Sequence, residues 1–492
     1  MDDKADLRLV EDAPVSCADQ WADLEGVTDC FTAAVFKYRS SCSQTPDRPC
    51  HIVRHLAALN ELLFSAKMQL REIPEARGQL ALVSVADSGL HLPEPQDFQS
   101  KLGASLVRTS PSLVVLGLQG TSMEEQATNN LLSCLVQSGI LKELTLRRSL
   151  VPVACREELL KYLMLAPSLT SFSFAGDSEK TEMAVLEGIF HNKTLSKVVI
   201  SRFTGGIESI QLVARIIGEN TVISSLVILS IYEDVSPIHN AAYDTWIEAL
   251  GKNEALEELS IPYQIWNPKQ WIRFIDILSS KHRLEKVYVL SDSTNHNLLT
   301  HVCHTLEDNG VHDKVSCGLY FAEDNIELLK YKMFSGLFLV GDVHEDVKTA
   351  VLLQLPDCGH VTSLVLEIPR GNLAMSSALA EYVQSTSVLR KLEVSTGFAD
   401  DFDISDGWWK VIVESLARNN SITELVFYVD SVSNRDVDSI ADAVNASRNI
   451  RKFTFGDCTV TSRRAFVSRL SNSLMKTALL RQQKVGAQFL RD

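Results

Sequence analysis

His301, Cys303, His304 and His312 place three imidazoles and a thiol within one short stretch, the donor set of a transition-metal site. Residues three apart share a helix face, so His301 and His304 point the same way. A structural zinc site needs a second ligand pair, and none follows at ligand spacing, so these are read as surface and loop histidines. The acidic run Asp400, Asp401, Asp403 and Asp406 raises calcium. Aligned from Asp401, an EF-hand loop needs Gly where Asp406 stands and Glu where Ile412 stands, so a solvated loop is expected. No Gly-x-Ser-x-Gly elbow is present. Gly251-Lys252 is followed by Asn253, which rules it out as a phosphate-binding loop. No catalytic residue, cofactor or metal is expected, and the chain is read as a non-enzyme.

Composition narrows the partner class. Hydrophobic residues make up 45% and charged residues 22% of the 492 positions, as in a folded chain. The net charge of −15 opposes nucleic acid, whose phosphates call for Lys and Arg. No apolar run approaches the ~20 residues of a membrane span. The N-terminus lacks the basic start and apolar stretch of a secretory signal. Cys17, Cys30, Cys42 and Cys50 would suggest two disulfides in a secreted chain. Without such a signal the ten cysteines are read as free thiols in a reducing cytoplasm, and the sequons at Asn192, Asn419 and Asn445 lose meaning.

The element that organises the chain is a repeat. An apolar-x-x-apolar-x-apolar pattern appears at Leu80/Val83/Val85, Leu113/Leu116/Leu118, Leu141/Leu144/Leu146 and Leu169/Phe172/Phe174. It continues at Leu195, Ile223, Leu256 and Leu284, blurs at His312/Val315/Cys317, and resumes at Phe334, Val361, Leu389, Ile422 and Ile450. Most intervals are 28 residues; the period-2 ending predicts a short strand with one buried face. Ten and six residues upstream stand pairs such as Leu131/Leu135, Val185/Ile189 and Phe274/Leu278, whose spacing of four predicts a helix face. Asn192, Asn220, Asn253, Asn309 and Asn419 lie three residues before their strand motifs. Because Asn tolerates the left-handed conformation, they are read as helix stops. Each unit is helix, turn, strand. Neither element buries its apolar face alone, and stacked units make one continuous core.

Strings such as "IEALGKNEALEELSI" and "IVESLARNNSITELVF" resemble the helical leucine-rich repeats of ribonuclease inhibitor and of Ran GTPase-activating proteins. They are also similar to the repeat region of NLR immune receptors. The resemblance implies an α/β leucine-rich-repeat solenoid, a horseshoe with a parallel concave sheet and convex helices. Residues 80–460 are its extent, with a helical N-terminal cap over 1–79 and a C-terminal capping helix over 461–492. Partner docking is the alternative role for the N-terminal segment. The family's usual Asn after the strand is replaced here by Thr121, Ser149, Asp177, Asp292, Asp342 and Asp430, so its ladder along that turn must be substituted. The end is basic, unlike the acidic tail of Ran activators.

The implied function is protein binding by a preformed concave surface. Variable strand positions supply that surface: Val199, Val227 and Leu229, then Tyr288 and Leu290, Phe338 and Val340, Val365, and Val426 and Tyr428. Apolar and aromatic residues there mark an interaction patch, whereas Glu143, Thr145, Arg147, Ser171, Ser173 and Lys197 of earlier units suit water. Three intervals of 33 residues place insertions at Pro93/Pro95, at Pro237 and at Asp400–Gly407, followed by Trp408 and Trp409, as candidate rim loops. The alternatives are a GTPase-activating protein for a small GTPase and the sensor part of an NLR-like receptor system.

Overall fold

The computed structural model describes four positions between 56 and 63, residues 68–73 and 76–84, and 103–456 apart from short segments. The longest of those segments are 232–236, 291–295, 397–407 and 429–433. The chain forms two compact units, Met1–Ala86 with His91–Asp234 and Glu248–Leu256, and Asp87–Leu90 with Val235–Ile247 and Glu257–Asp492.

The first unit holds strands β1 (Met68–Ile73), β2 (Ala76–Ser84), β3 (Leu113–Gln119), β4 (Glu143–Arg147), β5 (Ser171–Phe174), β6 (Lys197–Ile200) and β7 (Ser225–Ile228). Between them run helices α1 (Glu125–Ser138), α2 (Arg156–Leu165), α3 (Glu179–His191) and α4 (Ile207–Glu219). Helix α5 (Pro237–Lys252) is shared by the two units' boundaries. The second unit holds β8 (Glu258–Pro262), β9 (Lys286–Leu290), β10 (Val315–Tyr320), β11 (Gly336–Leu339), β12 (Ser363–Ile368), β13 (Lys391–Thr396), β14 (Glu424–Tyr428) and β15 (Lys452–Gly456). Its helices are α6 (Pro268–Ser280), α7 (His296–Asp308), α8 (Glu345–Gln354), α9 (Leu373–Ser385), α10 (Trp408–Arg418) and α11 (Asn434–Ala446). Within each unit strand order follows chain order, with parallel neighbours except for the antiparallel β1–β2 pair of the first. The chain is an α/β repeat solenoid.

The core is built from rungs. Leu144, Phe172, Val198 and Leu226 pair in register along β4–β7, and Leu337, Leu364, Leu392, Leu425 and Phe453 do so along β11–β15. All are buried, as are the helix pairs Leu131/Leu135, Val185/Ile189 and Phe274/Leu278 that cover them. Each such side chain contributes roughly 1.5–3 kcal/mol of burial.

Three expectations change. Leu56, Leu59, Asn60 and Leu63 are helical, but Met68–Ile73 is strand and β2 begins at Ala76, so the segment through 79 is not helical throughout. Met68 and Leu70 are buried with the alternation of a strand, and β1 pairs antiparallel with β2. The unit after β9 steps register. Val315 and Cys317 pair with Val287 and Val289 on one side, while Leu319 pairs with Leu337 on the other. A step of four residues, being even, keeps every side chain on its own face, which a step of one would not. This is why the motif at His312/Val315/Cys317 looks blurred.

The third concerns the asparagines. Asn192 and Asn220 have φ −68° and −80° with extended ψ, outside the left-handed region. Their side chains link repeats instead. Asn192 Nδ2 donates to Leu163 O at 2.5 Å, and its Oδ1 accepts from Thr194 N and Leu195 N at 2.7 Å. Asn253 repeats this with Ile217 O, Ala255 N and Leu256 N, and Asn419 with Val383 O, Ser421 N and Ile422 N. Asn309 departs: it is exposed, and the turn is made by Gly310 at φ +65°, where a side chain would be strained. The other turn, after the strand, is tied by side chains three residues ahead of the first apolar helix position. Glu182 accepts from Thr204 N and Oγ1, Trp271 Nε1 donates to Tyr263 O, and Lys348 Nζ donates to Gly341 O and Glu367 O. They satisfy backbone groups of these turns.

Asn192→Ala is expected to destabilise the fold by about 1–3 kcal/mol, since it strands buried backbone donors and an acceptor. Asn309→Ala should stay within about 0.5 kcal/mol. Urea unfolding midpoints of the two variants against the parent check this contrast.

Candidate functional site

Among the described residues the second unit's sheet has one face against its helices and one free of them, and aromatic side chains collect on the latter. Tyr320 of β10 and Phe338 of β11 are in register, and their rings stack with centroids 4.4 Å apart and planes 9° from parallel. Gly318 makes room for this. A Cβ built there would lie 2.7 Å from Phe338 Cε2, so only glycine lets the ring rest over the strand. Gly318 and Gly336 pair, giving the stack a flat floor. Two further aromatic and aliphatic side chains stand nearby on β9, with Tyr288 in register with Ser316 and Leu290 with Gly318. On the other side Val365 is in register with Phe338.

Exposure sorts these residues. Tyr288 and Tyr320 are 37% and 38% exposed, and Leu290, Phe338, Val340 and Val365 are half-buried. Burying two open tyrosines and a stacked phenylalanine against a partner removes large apolar area from water. Val426 and Tyr428, expected on the same surface, are only 5% and 9% exposed and offer almost nothing to a partner. Val426 is a short side chain in register with Glu393, whose longer arm is held by Lys391 at 3.3 Å, and beside the Glu424–Lys452 ion pair at 2.6 Å. In the first unit Val227 and Leu229 are half-buried and Val199 is buried. Tyr320 was missed because its strand steps register; the alternation Cys317/Leu319/Phe321, all buried, is the signal that exposes it.

The histidine–cysteine stretch does not assemble as a metal site. Cys303 is buried in the core with Sγ 3.1 Å from Met333 Sδ, while His304 is exposed and meets Tyr331 Oη at 3.1 Å. Burial pushes the Cys303 thiol up to about 12, and burial also raises Cys317. Both favour the protonated form over the thiolate that ligates metal. Among the described residues no group of three or more His, Cys, Asp or Glu side chains is placed to hold a metal ion, and no helix is long and apolar enough to cross a membrane. The acidic run at 400–406, the insertions at Pro93/Pro95 and Asp400–Gly407, the capping helix over 461–492 and Cys17, Cys30, Cys42 and Cys50 lie outside the described residues. So do the side chains of Trp408 and Trp409.

Comparison with known proteins gives no family. No protein-family model matches the chain, and no curated protein matches it by sequence. Among solved structures it is similar to one described as the crystal structure of the Rad7 and Elc1 complex in yeast, at 14% identity. The likeness covers 76% of this chain and 86% of that chain, with a TM-score of 0.34.

Cys303 and Cys317 are expected to resist a thiol reagent at pH 8 in the native protein and to react once it is unfolded in urea. With a pKa near 12 only about one Cys303 in ten thousand is thiolate at that pH. Peptide mapping of the labelled chain reads the two sites. Because the folded values lie above the ordinary thiol value, these groups favour the fold at neutral pH. That contribution is lost as pH rises from about 9 toward 12.

Proposed function

We propose that this chain is a leucine-rich-repeat solenoid of the ribonuclease-inhibitor and Ran-activator type, similar also to NLR repeats, acting as a non-enzymatic protein-binding scaffold or regulator. The observation that supports this reading is the Tyr320–Phe338 stack with Tyr288 close by, on the face of the sheet that no described helix covers. A strand surface that meets only water favours polar residues, whereas open tyrosines on a rigid backbone serve as anchors of binding hot spots. The partner is another protein, bound through Tyr288, Leu290, Tyr320, Phe338, Val340 and Val365. The net charge of −15 disfavours nucleic acid as that partner, and a cytoplasmic setting suits free buried thiols. The rigid surface lowers the ordering cost of association, so a small patch suffices.

Replacing Phe338 and Tyr320 together by Asp is expected to weaken partner capture by about thirtyfold or more, the loss of one hot spot of about 2 kcal/mol. Lys391→Ala, which breaks an exposed ion pair, should leave capture within about fivefold. Quantitative affinity capture from cell extract, with far-ultraviolet circular dichroism of both variants, makes the test. Equal capture by the double variant and the parent overturns the proposal.

A further inference from the structure

The sheet of the first unit begins at β1, and among the described residues β1 pairs with β2 alone. Its other side carries backbone N–H and C=O groups that invite another strand. At the middle of β1 these groups are already engaged. Leu70 N donates to Asn60 Oδ1 at 2.8 Å, and Asn60 Nδ2 donates to Leu70 O at 2.9 Å. A side-chain amide presents one acceptor and one donor, as a residue of a neighbouring strand does. Asn60 therefore imitates the pairing that an added strand would make at Leu70.

The strand itself does nothing to repel a second copy. Antiparallel self-pairing centred on Leu70 sets Leu70 opposite Leu70, Gln69 opposite Arg71, and Met68 opposite Glu72. No like charges face each other in that register. The register irregularity of β1 falls between Glu72 and Ile73, past the pairing centre, and β1 contains no proline. Edge strands ordinarily rely on such devices to stay single. Among the described residues the burden falls on one amide, carried by a helical segment whose Leu59 and Leu63 are buried.

We propose that Asn60 is an edge lock: its amide occupies Leu70 and so keeps β1 from pairing with β1 of a second copy in a two-fold dimer. A lone added strand of another protein could use the same edge, but the self-complementary register favours a second copy.

The test is sedimentation of the full chain over about a hundredfold range of concentration. Asn60→Leu keeps the shape and removes both hydrogen bonds; its average mass is expected to rise toward the dimer with concentration while the parent's does not. Adding Gln69→Arg sets two guanidinium groups opposite each other in each pairing and should return the chain to monomer. If Asn60→Leu folds poorly by circular dichroism, Asn60→Asp serves, since it keeps the acceptor and loses the donor, freeing Leu70 O. A concentration-independent monomer for the folded Asn60 variant, or a dimer that Gln69→Arg leaves intact, overturns the proposal.

Discussion

A buried amide at the foot of a strand carries much of the burden in this molecule. Asn192, Asn253 and Asn419 each donate to a carbonyl of the preceding repeat and accept from two amides of their own turn. The helix must end and the strand must begin within a few residues, inside the core, where unpaired backbone groups are costly. One side chain meets that need and fixes the spacing of successive units. In-register rungs such as Leu144, Phe172 and Val198 follow from the same spacing.

On the opposite turn individual side chains tie the backbone, each in its own way. Glu182, Trp271 and Lys348 occupy one repeat position yet differ in charge and shape, and each reaches the groups of the turn beside it. Burial raises the Glu182 carboxyl, while the Thr204 hydrogen bonds pull the other way. The repeat tolerates this because each turn contacts only its neighbours, so a local solution need not propagate.

The aromatic surface depends on the sheet in a different way. β10 is long enough to match β9 with one pair of inward residues and β11 with the next, a step of four that conserves the faces. That step brings Tyr320 beside Phe338, and Gly318 leaves space for the ring. The flat, rigid patch is thus a product of the irregular unit, not of the regular ones. The salt-bridged strands β13–β15 beyond it present Lys391, Glu393, Glu424 and Lys452, whose exposed pairs add little stability but keep that part of the sheet polar.

Periodicity alone determined the class of the fold, because a 28-residue recurrence of strand and helix faces has few other solutions. It placed Leu364, Leu392 and Leu425 in the core, and Tyr288 and Phe338 on the face away from it. Local pattern could not decide what depends on neighbours distant in sequence. The asparagines were legible as markers, but their role as inter-repeat hydrogen-bonders needed Leu163 and Ile217 in place. Met68–Ile73 became a strand through pairing with β2, and Tyr320 joined the patch only through the β10 register step. Val426 and Tyr428 point to the predicted side yet are buried there, since exposure is set by the side chains that stand around a residue. Alternation fixes which face a residue takes; only tertiary structure decides what remains open on that face.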